Sequence, residues 1–70
     1  MKSICYEFEN VNTGEVVWFA REGGEYREQN PFNEWNNHRR LYPYLRLTNL
    51  KHLVLELKDL GFYLVDVHYC

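Results

Sequence analysis

Asp66, His68 and Cys70 stand at alternate positions near the end of the chain, so an extended backbone sets all three on one side. All three residue types are zinc ligands, and Cys5 joins them if the first and last strands are neighbours. The spacing argues against a metal. Neither CxxC nor HxxxH occurs, and polar residues on a wet strand face account for the pattern. No metal site and no cofactor are expected. A catalytic thiol needs a base in reach and a helix N-terminus or cation to activate it, and Cys5 lies in strand-like sequence with none of these beside it. His52 and Glu56 sit one helical turn apart, as on any solvated helix face. Glu7, Glu9 and Glu15 read as a charged edge that discourages strand-to-strand aggregation rather than as an acid–base pair. No catalytic constellation emerges, and the chain is not expected to be an enzyme.

The middle of the chain is more suggestive. His38 to Arg46, HRRLYPYLR, gathers three of the five arginines with two tyrosines. Arginine forks bind phosphates and tyrosine rings stack on bases, which suits a single-stranded RNA or DNA binder. The same two residue types are enriched at protein–protein hot spots. A plain structural role competes with both, with Tyr42 and Leu45 in the core and the arginines in water. The preceding stretch, Gly23 to Asn37, is polar but carries Tyr26, Phe32 and Trp35, and large rings among polar residues also suit a binding surface. The residues expected to touch a partner are Tyr26, Phe32, Trp35, Arg39, Arg40, Tyr42, Tyr44 and Arg46.

The elements that must position these residues follow from periodicity. Ser3 to Glu9 alternates, with Ile4, Tyr6 and Phe8 on one side and Cys5, Glu7 and Glu9 on the other. Asn10 to Gly14 is a turn, and Glu15 to Arg21 is a returning strand apolar on both faces, which must lie centrally or be covered twice. Tyr26 to Gln29 is either sheet or loop. Asn30-Pro31 suits a helix start, with Phe32, Trp35, Arg39 and Tyr42 along one face and Pro43 forcing a stop, so a short helix is expected over about 31–41. Tyr44 to Leu47 is a connector or short strand. Thr48-Asn49 then caps the best helix, about 49–60, with Leu50, Leu53, Val54, Leu57 and Leu60 in one stripe and Gly61 as its left-handed end. Phe62 to Cys70 is strand by composition. Strict alternation puts Tyr63, Val65, Val67 and Tyr69 on one face and Phe62, Leu64, Asp66, His68 and Cys70 on the other.

The expected fold is α+β: an antiparallel or mixed sheet of three or more strands, built from the N-terminal hairpin and the C-terminal strand, with helix 49–60 packed on it. Residues 1–70 leave room for a single domain. Hydrophobic residues make up 46% of the chain, too many for disorder, and no apolar run approaches a membrane span. Ten acids against eight bases disfavour non-specific duplex binding. The start of the chain runs straight into strand-like sequence with no signal peptide in view, and two cysteines are too few for a disulfide-stapled domain. Two free thiols in a reducing, cytoplasmic setting are therefore expected, and a Cys5–Cys70 bridge is the lesser alternative, open only where the first and last strands are neighbours.

Together these features favour a small non-enzymatic interaction protein, an adaptor, regulator or inhibitor, with a protein as its partner. A chain of this kind also suits a phage- or mobile-element-type inhibitor of a host enzyme or defence complex. The alternative is a single-stranded nucleic-acid binder using residues 38–46. A homodimer is weighed evenly against a monomer, because the final strand is apolar on both faces.

Overall fold

The computed structural model describes residues 4–29 and 41–69. Five strands and one helix follow in the order β1 (Ile4–Asn10), β2 (Val16–Glu22), β3 (Glu25–Gln29), β4 (Arg46–Leu47), α1 (Leu50–Asp59) and β5 (Phe62–Tyr69). The strands form one antiparallel sheet in the order β4-β3-β2-β1-β5. The α+β expectation holds, with more strands than the minimum of three. Tyr26 to Gln29 belongs to the sheet, and the connector before α1 contributes the two-residue β4. The expected helix over 31–41 lies outside the described residues, save Leu41.

Local chemistry explains most of the elements. Gly23 and Gly24 both take positive φ, 61° and 83°, so a two-residue turn reverses β2 into β3 with the twist the strands need. Asn49 is the N-cap of α1, and its side chain accepts from the Lys51 and His52 amides. Gly61, at φ 93°, ends the helix, and its amide donates to the Lys58 carbonyl at 2.9 Å.

β2 is the central strand, as its two apolar faces require. The core lies between one sheet face and α1, where Phe8, Val17, Phe19, Tyr26 and Phe62 meet Leu53 and Leu57. Phe8 and Phe19 pack edge-to-face, with ring centroids 5.9 Å apart. Because α1 joins β4 to β5, the chain crosses from one sheet edge to the other over this face. The expected helix stripe is shortened: Leu60 is the C-cap and exposed.

Three expectations need correction. First, β5 does not alternate strictly. Glu7 pairs with Asp66 but Phe8 pairs with Leu64, leaving Val65 as an extra residue. One inserted residue reverses the side to which the rest of a strand points. Phe62, Leu64, Val67 and Tyr69 therefore share the helix side with Ile4, Tyr6 and Phe8, while Tyr63, Asp66 and His68 lie on the far side with Cys5, Glu7 and Glu9. Second, Glu7 and Glu9 are not on an edge, because β1 has β2 on one side and β5 on the other. Third, Cys5 is fully buried and disulfide-bonded, and no described cysteine is free. The chain's other cysteine, Cys70, lies outside the described residues. The expectation of two free thiols fails at Cys5.

Candidate interaction surface

The helix covers only part of the sheet face. Beyond its reach the helix side ends in Ile4, Tyr6, Arg21 and Tyr26, which line a shallow hollow of about 280 Å³. Tyr6 and Tyr26 meet edge-to-face with centroids 5.9 Å apart. The Arg21 guanidinium stands 6.0 Å from the Tyr26 ring centre, at cation–π range. Ile4 pairs with Tyr69 and Tyr6 with Val67, so the hollow runs on without a break into β5.

β5 is the outer strand, and after Phe62 every one of its residues is exposed. Val67 is 50% exposed and Tyr69 74%, and both are on the helix side, where Phe8, Val17 and Phe19 of the inner strands are buried. Tyr63, Leu64 and Val65 are exposed as well. Contiguous apolar surface of this kind on an outer strand is what a soluble monomer ordinarily avoids.

On the far side of the same strands lies a polar cluster. His68 Nε2 donates to Glu7 Oε1 at 2.6 Å across the β1–β5 boundary, and Asp66 Oδ2 lies 3.7 Å from the same nitrogen. Asp66 also accepts the next backbone amide, Val67 N–H, at 2.8 Å. Ligand atoms of Glu7, Asp66 and His68 lie within 4.8 Å of one another, the donor types a divalent cation takes. The short hydrogen bond accounts for the grouping without one: it ties β5 to β1 at two partly exposed groups. Sequence alone placed Asp66 and His68 together. Glu7 was missed because its neighbour across the sheet lies 61 residues away.

The residues expected to bind a partner divide. Tyr26 is buried in the core, and Tyr42 packs edge-to-face on Phe62 with centroids 5.9 Å apart. Tyr44 is 90% exposed and Arg46 is exposed on β4, the edge opposite β5. Phe32, Trp35, Arg39 and Arg40 lie outside the described residues. Glu28, which sequence reasoning passed over, is buried on the helix side and accepts the Leu41 and Tyr42 amides at 3.0 and 2.6 Å. Burial first, and then the carboxylates of Glu15 and Glu28, push the Tyr42 hydroxyl above the ordinary tyrosine value. Burial first, and then Tyr26, does the same to Tyr6.

The fold and surface define the chain as an α+β protein with a five-stranded antiparallel sheet and one helix. No helix among the described residues is long and apolar enough to cross a membrane. No protein-family model, curated protein or solved structure matches the chain.

Proposed function

We propose that this chain is a non-enzymatic interaction module that works by covering part of a macromolecular partner, with a protein as that partner. The observation that supports this reading is the exposed apolar surface of β5, continuous through Ile4 and Tyr6 with the Arg21–Tyr26 hollow. Aromatic rings beside an arginine are the composition that carries binding energy at protein interfaces. An edge strand adds backbone donors and acceptors to which a partner's strand can pair. A disulfide at Cys5 suits an oxidising setting, so the reading does not depend on a cytoplasmic one.

One observation favours a second reading. Tyr44 and Arg46 stand exposed at the β4 edge, a ring and a guanidinium of the kind that hold single-stranded RNA or DNA. Affinity capture from lysate, with half of the sample nuclease-treated, separates the two. A protein retained in both halves by the natural chain, and lost with Leu64→Glu, is the expected result. Retention that vanishes on nuclease treatment transfers the function to the β4 edge.

A further inference from the structure

β5 has β1 on one side, and among the described residues no strand pairs with its outer edge. We propose that this edge pairs antiparallel with the β5 of a second copy of the chain, about a two-fold axis at Val67, joining the two sheets into one. The inference rests on β5 being the interaction surface argued above, and it names the occupant.

The register follows from symmetry. A two-fold axis that makes two edge strands antiparallel neighbours stands perpendicular to the sheet, so it keeps every side chain on its own face. Directly opposed residues share a face. The axis must therefore pass at a residue, never between two. Centred on Asp66, the pairing sets two carboxylates opposite each other, which is repulsive. Centred on His68, it runs off the end of the strand. Centred on Leu64 or Val65, it places the irregular residue of the ladder beside or on the axis. Centred on Val67, it sets Asp66 opposite the second copy's His68, and His68 opposite the second copy's Asp66. Two complementary pairs then flank a Val67–Val67 contact, and Tyr69 of each copy comes level with Val65 of the other. Of these registers, the one centred on Val67 makes β5 complementary to itself.

The local hydrogen bonding suits such an exchange. Asp66 is folded back onto the Val67 amide at 2.8 Å, a side-chain cap that occupies a strand amide without a neighbouring strand. An incoming strand offers that amide a carbonyl and releases the carboxylate to the second copy's His68. A single added strand lies at the small end of specific interfaces, so the dimer is one that dilution dissociates.

Sedimentation velocity on the full chain, from low to high micromolar concentration, tests the proposal. The expected mass rises with concentration from 8.6 kDa toward twice that value. Val67→Lys, which buries two lysines against each other at the axis, is expected to stay monomeric throughout. His68→Glu sets like charges opposite and should weaken association by about tenfold. Asp66→Lys combined with His68→Glu restores opposite charges in the same register and should recover most of that loss. Circular dichroism on each variant confirms that β5 remains in the sheet. A natural chain that is monomeric at every concentration overturns the dimer, as does association indifferent to Val67→Lys or left unrescued by the charge reversal. The broader interaction reading falls separately, when neither the natural chain nor the monomeric variant retains any macromolecule from lysate.

Discussion

The Glu28 carboxylate accepts the Tyr42 amide at 2.6 Å, joining the end of β3 to the backbone that leads into β4. Its other oxygen accepts the Leu41 amide at 3.0 Å, so one buried carboxylate holds two successive backbone donors. Hydrogen bonds to an ionised acceptor are stronger than neutral ones, and two amides in the place of a counter-ion keep the charge satisfied.

Removing that acceptor strands both amides. Glu28→Ala is expected to lower stability by about 3 kcal/mol, read as a fall in the urea midpoint at unchanged slope. Glu28→Gln, which keeps one acceptor, should cost roughly half as much. A Glu28→Ala chain as stable as the natural one would refute the anchoring role.

Gly61 carries two constraints that act together. Its φ of 93° is strained for any side chain, and an added Cβ would meet Asn10 Nδ2 at 3.1 Å. Asn10 in turn donates to the Leu60 carbonyl and accepts the Asn12 and Thr13 amides, so it couples the first hairpin turn to the helix end. Gly61→Ala and Asn10→Ala should each cost about 1–2 kcal/mol. Their combination should cost less than the sum, because removing the Asn10 side chain removes the close approach. A double-mutant cycle by urea denaturation measures the difference.

Stability should fall at high pH. Tyr6 and Tyr42 hold their protons more tightly folded than unfolded. The unfolded chain therefore releases those protons first, and stability present below pH of about 10 is lost as pH rises past it. Tyr6→Phe and Tyr42→Phe should each flatten that fall. Urea midpoints recorded between about pH 8 and 11 show whether they do.

The disulfide at Cys5 should matter to stability. Thiol titration of the unreduced, unfolded protein is expected to find no free cysteine. Cys5→Ser should lower stability by about 2–4 kcal/mol, the usual range for a native bridge. Two titratable thiols in protein prepared without reductant would contradict this.

Binding at the β4 edge has its own signature. Single-stranded oligonucleotide is expected to bind the chain weakly, and Tyr44→Ala with Arg46→Ala should leave capture of a protein partner through β5 unchanged. Tight oligonucleotide binding that falls steeply with added salt, and that these substitutions abolish, would favour the nucleic-acid reading.

What the amino-acid sequence determined by itself is whatever neighbouring residues decide. The alternation of Ile4, Tyr6 and Phe8 makes β1, Asn49 and Gly61 bound α1, and Leu53 and Leu57 select its buried face. These depend on side-chain spacing and on backbone angles within a turn or two of chain. What only the tertiary structure decided are contacts between distant parts of the chain. Pairing of β1 with β5 brings Glu7 to His68, and the extra residue at Val65 changes which side chains of β5 face the helix. An insertion in a ladder is a property of two strands at once, so the alternation of one strand cannot reveal it. Glu28 is the same case: a charged residue in a polar run reads as surface until the Leu41 and Tyr42 amides arrive from 13 and 14 residues along the chain. The exposure of Val67 and Tyr69, on which the interaction surface depends, is likewise decided by how much of the sheet one ten-residue helix can cover.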